Sequence, residues 1–518
     1  MRPGSSFFSA AQLPWQFLCA CSIWLGFPSD FFSWPPLVLL WPVCLAIIGA
    51  KAATGVNSFL AGWLATWPGM LLALYWLALP LAQVGGLPWP LAFLCAALIA
   101  ALLASQGAFF CALAHAFRHL PALRKLLALS LAWYLLEYAY AVCVGFPWLP
   151  LAGGLAQWPL LIQTADIFGA YFMGAVWLFC ILLSCEAFKD GQPILRRLLW
   201  LLSGITAASC LLWYGVFELA AALGASESET AIDCVMVQGN VDQNQKWTPP
   251  FQRESLARYL RLTSAGLDRA HAIGMESPLI IWPETAMPFF YELSPDLGGR
   301  IRNAVSVWGC PLLFGAPGQE NGGELIFNRA FLLAPSGQTL GTYDKMHLVP
   351  FGEYLPRWLR LDFLEKLLQG IGVYEEGASM ASLDYGALAL GLLICYEGIF
   401  PWLARDRVSH GANILVDISN DGWFGRTPAA RQHLYLTLLR CVEQERWLLR
   451  ATNTGISAVA DNCGRITQEG QTFREEYLLC RALCKTAKSI FYHLEPLLPW
   501  LALAFFCGLA KLGRQAED

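Results

Sequence analysis

Eight apolar stretches, seven of them packed into the first 222 residues, restrict this chain more than any other feature. They run over about 13–28, 33–50, 57–80, 88–117, 125–144, 162–187, 196–222 and 490–510. A bilayer core needs about 20 apolar residues per crossing helix. The chain is 56% hydrophobic and 14% charged, against about 25% charged in soluble domains. Such a chain reads as a polytopic α-helical membrane domain of eight spans carrying a soluble part. Residues 13–27 lack a basic leader beyond Arg2 and an A-x-A-like site, so they read as a retained anchor.

The basic residues set an orientation. Arg2, Lys51, Arg118, Arg124, Lys125, Lys189, Arg196, Arg197, Lys511 and Arg514 fall on one side if the spans alternate. The intervening short loops, around 28–33, 81–87 and 145–161, hold no Lys or Arg. By the positive-inside rule both termini are cytoplasmic and 223–489 lies outside. The expected domains are therefore 1–222, with seven helices, an extracytoplasmic domain at 223–489, and 490–518, a last helix with a cytoplasmic tail. The outer loops, such as Gly145-Phe146-Pro147-Trp148, read as an interfacial aromatic belt or as a lipid-facing floor. A net charge of −4 without a basic run gives no reason to expect nucleic acid.

Composition turns polar over Ser226 to Glu229, and a different pattern follows. Short β-rich runs at 231–238, 279–282, 311–315, 326–333, 388–395, 413–418 and 456–460 alternate with helical patterns at 251–272, 297–307 and 429–446. That alternation predicts a layered α/β domain. Many of the 17 cysteines lie in apolar spans, which argues against a disulfide framework. Neither C-x-x-C nor H-E-x-x-H occurs, so no metal and no cofactor is expected. Cys480 and Cys484 read as packing residues.

Three stretches carry chemistry. The buried run Leu388 to Ile394 ends on Cys395-Tyr396-Glu397-Gly398. The run Leu279 to Ile281 ends on Trp282-Pro283-Glu284-Thr285. Tyr343 to Pro356 places Lys345 and Glu353 among Pro and Gly, with His347 read as a structural loop residue. A thiol becomes a nucleophile when a base takes its proton and a cation faces the developing oxyanion. Glu284, Lys345 and Cys395 supply base, ammonium and sulfur. The Lys345 ammonium and the N–H of Tyr396 are natural oxyanion donors, each worth about 3–4 kcal/mol. The predicted reaction is double-displacement acyl transfer through a thioester.

In order and context, Glu284, Lys345 and Cys395 resemble the triad of the nitrilase, or carbon-nitrogen hydrolase, superfamily. Together with the membrane spans they resemble the apolipoprotein N-acyltransferase family. The resemblance implies a nitrilase-like α-β-β-α sandwich for the outer domain. It implies supporting or oxyanion roles for Glu353, Tyr396 and Glu397. Val237-Gln238-Gly239-Asn240 with Lys246-Trp247, and Ser419 to Gly425, also match, so Trp247 and Trp423 are expected to line the lipid entry. Asn328 and the Arg450 to Gly455 segment are expected as scaffold. The implied donor is a phospholipid, typically phosphatidylethanolamine. The implied acceptor is the amino-terminal amine of a diacylglyceryl-cysteine apolipoprotein, and the implied place is the bacterial inner membrane with the catalytic domain periplasmic. A membrane-anchored amidase or nitrilase-type hydrolase would carry the same triad. A transporter or assembly scaffold would be marked by intramembrane charges, here only Glu137, Asp166 and Glu218.

Overall fold

A computed structural model describes residues 10–224, 230–243, 246–350, 352–354, 374–379 and 381–514. Arg2, the polar linker at Ser226 to Glu229, Phe351, Leu355 and Pro356 lie outside them. The chain divides into two compact units. One draws on the segments up to Ala78, Pro90–Leu223 and from Ser489 onward; the other on Leu79–Trp89 and Gly224–Lys488.

The first unit is helical. Among the described residues, five helices are long and apolar enough to cross a membrane: Gly55–Gln83, Trp89–Ala116, Ala122–Cys143, Ala165–Glu186 and Ile194–Gly224. Three further apolar helices, Leu13–Gly26, Pro35–Lys51 and Leu498–Lys511, are shorter. The expected last span is broken, because Ile490–Leu494 ends before a second helix begins at Leu498. Ala165–Glu186 bends at Gly169, whose φ is +71° and whose Cβ position lies 2.2 Å from the Phe491 ring. Only glycine fits both requirements. Ile194–Gly224 turns Leu195, Leu199, Leu202, Trp213 and Phe217 outward, the surface a helix presents to hydrocarbon rather than to water. Buried Glu137 accepts from Trp133 Nε1 and from the Leu151 N–H, both at 2.8 Å. Tyr214 donates to Asp166. These two acids thus have local structural partners.

The second unit is a sandwich of two six-stranded sheets. The first contains β1 (Ala231–Gln238), β2 (Leu279–Ile281), β3 (Leu312–Glu320), β4 (Leu325–Leu333), β5 (Thr339–Asp344) and β12 (Glu476–Leu483), in the order β12-β1-β2-β3-β4-β5. The second contains β6 (Leu383–Tyr385), β7 (Leu388–Ile394), β8 (Ile414–Ser419), β9 (Leu448–Thr452), β10 (Ala458–Ala460) and β11 (Ile466–Glu469), in the order β11-β10-β9-β8-β7-β6. The centre of each sheet is parallel, β1-β2-β3 and β7-β8-β9, and the flanks are antiparallel.

Side chains alternate across a strand, and here both faces are covered. Cys234 and Met236 of β1 join Ile281, Leu392, Ile394, Val416 and Leu449 between the sheets. Val235 and Val237 face Leu256, Tyr259, Ile301 and Val305 of helices Pro249–Ala272 and Pro295–Trp308. Helices Pro401–Ser409 and Ala429–Gln444 cover the second sheet. The result is the expected helix-sheet-sheet-helix order. Burial on both faces explains why the central strands read as unbroken apolar runs. The cysteines Cys234, Cys310, Cys441, Cys463, Cys480 and Cys484 are buried free thiols in this unit.

Candidate active site

Three of the singled-out residues sit at strand ends or just beyond them, two of these strands lying in the parallel centres of the sheets. β7 stops at Ile394, and Cys395 begins a 3-10 turn, Cys395–Ile399, with φ +54°. A left-handed conformation costs a non-glycine residue about 1–3 kcal/mol and persists only where neighbours impose it. β2 stops at Ile281, and Glu284 follows, with Thr285 also left-handed at φ +46°. Lys345 comes directly after β5.

Lys345 is buried between two carboxylates. Its ammonium lies 3.6 Å from Glu284 Oε1 and 2.9 Å from Glu353 Oε2. Burial alone would lower its pKa, but Glu353, Glu284 and the Cys395 sulfur reverse that and raise it, so the ammonium stays charged. Asn328, on β4, bridges the same two acids, its Nδ2 donating to Glu284 Oε1 at 2.7 Å and to Glu353 Oε1 at 2.9 Å. Glu353 also accepts from the Val349 N–H at 2.8 Å. One oxygen of the buried Glu284, Oε2, has no hydrogen-bond partner among the described residues. An acid anchored through one oxygen and open at the other is built to accept a proton.

Burial pushes the Cys395 thiol well above the ordinary range; Glu284 and Asp421 push the same way, while Lys345 and the Ser419 hydroxyl pull it back. The sulfur thus feels the charges of both Glu284 and Lys345. The balance favours the protonated thiol. Alkylation of Cys395 by iodoacetamide is therefore expected to keep rising with pH beyond about 9, the ordinary thiol range. A plateau below pH 7 would contradict the assignment.

Glu397 was expected as a supporting or oxyanion group. It is fully buried and accepts hydrogen bonds from the Tyr343 hydroxyl (2.8 Å) and from the N–H groups of Met346 (2.7 Å), His347 (3.1 Å) and Ile394 (2.8 Å). It ties the Cys395–Ile399 turn to the Lys345 loop, and Arg407 braces it by donating to Tyr343 and to the Leu392 carbonyl. An acceptor-only carboxylate cannot donate to an oxyanion, so its contribution is to register the two loops. Tyr396 is buried beside Phe400, and His347 packs its ring on Phe400 at 4.3 Å, in keeping with a structural role. Trp423 is half-buried and Trp247 is 45% exposed.

Two features were not read as site residues in the sequence. Lys246 is buried, and burial, partly offset by Glu284, lowers its pKa to about 8; its ammonium lies 5.6 Å from the Trp247 ring centre. Gly315, on β3, presses on the Glu284 backbone: a Cβ there would sit 2.6 Å from the Thr285 nitrogen and 2.8 Å from Glu284 Cα. Gly315→Ala must therefore displace Glu284. Misplacing a catalytic group by about 1 Å costs on the order of 100-fold in rate. That loss is expected in turnover assays, and an unchanged rate would show that Glu284 tolerates displacement.

Two family models match the chain: the apolipoprotein N-acyltransferase N-terminal domain over residues 19–183 and carbon-nitrogen hydrolase over 236–485. The apolipoprotein N-acyltransferase of Geobacter metallireducens is 34% identical over 94% of this chain and 92% of its own length. That of Brucella melitensis is 32% identical over 85% and 83%, and that of Azotobacter vinelandii 29% over 94% and 93%. With a nitrilase-like sandwich, a helical unit and matches that run nearly end to end, this chain belongs to the apolipoprotein N-acyltransferase family.

Proposed function

We propose that Cys395 carries the acyl group in N-acylation of apolipoproteins, with Glu284 as base and Lys345 as oxyanion partner. The family makes the chain an acyltransferase of lipoprotein maturation and a multi-pass membrane protein. The observation that carries the mechanism is Glu284, held by Asn328 and Lys345 through one oxygen and without a hydrogen-bond partner at the other among the described residues. In the first step the sulfur attacks an ester carbonyl of a phospholipid, for which phosphatidylethanolamine is the proposed donor. Its proton goes to Glu284, and the oxyanion is met by Lys345 and the Tyr396 N–H. Collapse expels the lysophospholipid alkoxide, which takes the proton back from Glu284 and leaves a thioester. The free α-amine of a diacylglyceryl-cysteine then attacks that thioester. Glu284 takes a proton from the amine, the C–S bond breaks, and the sulfur recovers the proton as the amide leaves.

The proposed topology has eight spans, cytoplasmic termini and the catalytic unit on the periplasmic side of a bacterial inner membrane, with domains at 1–222, 223–489 and 490–518. Two ion pairs support the orientation. Lys125 and Lys189 both reach Glu186, at 2.9 and 2.6 Å, so two basic clusters assigned to the same side do share one end of the helical unit. Trp247 and Trp423 are proposed to line the lipid entry. The test is to incubate the purified protein with acyl-labelled phospholipid and a diacylated lipopeptide. Label in N-acylated peptide is expected; free fatty acid alone would favour a membrane-anchored hydrolase.

A further inference from the structure

One helix holds the nucleophile turn from behind. Along Ala429–Gln444, His433, Thr437 and Arg440 are spaced at i, i+4 and i+7, which puts them on one face. Each meets the turn Cys395–Ile399. His433 Nε2 lies 3.1 Å from the Cys395 carbonyl oxygen. A Cβ on Gly398 would come within 2.8 Å of the Thr437 hydroxyl. Arg440 Nη1 donates to the Ile399 carbonyl at 3.1 Å.

The His433 ring is itself fixed. Its Nδ1 lies 2.9 Å from Asp421 Oδ1 and 3.0 Å from Arg450 Nη2. Asp421 also accepts from Ser419 Oγ at 3.0 Å and from Arg450 Nη2 at 3.1 Å. His433 and Asp421 are all but fully buried. Burial opposes charge on Asp421, but Arg450 and His433 hold its carboxyl at about 2, so it stays anionic. Nδ1 thus has an acceptor on one side and a donor on the other, and either fixes the ring plane. A carbonyl oxygen only accepts, so Nε2 must carry the hydrogen that reaches Cys395.

We propose that His433 is a positioning residue for the acyl-transfer step: its Nε2–H pins the Cys395 carbonyl, imposes the left-handed backbone at Cys395, and so aims the sulfur at the bound ester. The inference rests on Cys395 being the nucleophile.

The test is single-turnover formation of the Cys395 thioester from labelled phospholipid in detergent-solubilised full-length enzyme. His433→Leu removes the donor, and His433→Gln carries an N–H at nearly the same reach. H433L is expected to lower the rate at saturating lipid at least tenfold, with the half-saturating lipid concentration unchanged. H433Q is expected to come within threefold of the unaltered enzyme. Equal rates in H433L and the unaltered enzyme would overturn the proposal, as would an H433Q as slow as H433L with both melting normally. If H433L does not fold, 15N-histidine NMR of the unaltered enzyme decides. A protonated Nε2 on His433 supports the proposal, and an unprotonated one overturns it. Failure of the unaltered enzyme to form any thioester at Cys395 would instead overturn the nucleophile assignment, and the inference with it.

Discussion

Cys395→Ala is expected to abolish both the acyl-enzyme and transfer to a lipopeptide, while the fold survives. In the proposed mechanism the sulfur holds the acyl chain between two substrates that do not react directly. Removing it leaves Glu284, Lys345 and Glu353 joined to each other and to Asn328. The turn also keeps its brace, because Glu397 and His433 hold it through the Ile394 N–H and the Cys395 carbonyl rather than through the thiol. The melting temperature should therefore move by no more than a few degrees, about what 1 kcal/mol produces in a unit of this size. Turnover in C395A with phospholipid and lipopeptide would end the thioester account.

Lys345→Met is expected to fail twice. Loss of the ammonium removes a transition-state donor, a deletion that costs about 10²–10³-fold in rate. It also strands Glu284 and Glu353, which are buried and share Asn328 as a common donor. Breaking a buried ion pair by removing one partner typically costs about 3–5 kcal/mol. In this variant the cheapest relief is a proton shared between the two acids. A proton bound in the folded state adds stability at low pH that is lost as pH rises. The melting deficit of K345M should therefore be smaller at pH 5 than at pH 8. A deficit independent of pH, or a rate within tenfold of the unaltered enzyme, would show that Lys345 is not the charge at the centre of the site.

The sequence made the chemistry more legible than the scaffold around it. Leu388 to Ile394 and Leu279 to Ile281 are apolar because both faces of those strands are covered. They therefore announce themselves, and Cys395 and Glu284 follow at their ends. Strands β5, β6, β9, β11 and β12 carry no such signal, although the flanking strands β4 and β10 do. β12 pairs with β1 across the whole chain length of the unit, Ala231 opposite Leu483, and no local pattern encodes a partner so distant. β11 is exposed over three of its four residues, and β6 is only three residues long. The helical pattern at 429–446 matches the helix Ala429–Gln444, and Leu434 and Leu438 lie in its buried apolar part. Its polar face, His433, Thr437 and Arg440, is just as buried: His433 and Arg440 reach carbonyls of the Cys395–Ile399 turn, and Thr437 donates to the His433 carbonyl and packs against Gly398. Polar residues facing a core look like solvent-facing ones until their partners are known. Glu397 illustrates the same limit. Its neighbourhood to Cys395 was plain, whereas its binding to Met346 and His347 required the fold.

The most direct measurement is peptide mass spectrometry after the full-length protein is incubated with phospholipid and no acceptor. The peptide containing Cys395 should gain the mass of one fatty acyl group, and neutral hydroxylamine should remove it, as it does a thioester. Addition of a lipopeptide should then clear the modification and yield one N-acylated product per acyl-enzyme. An unmodified Cys395, or an acyl chain on another residue, in a preparation that still acylates lipopeptide would contradict the account.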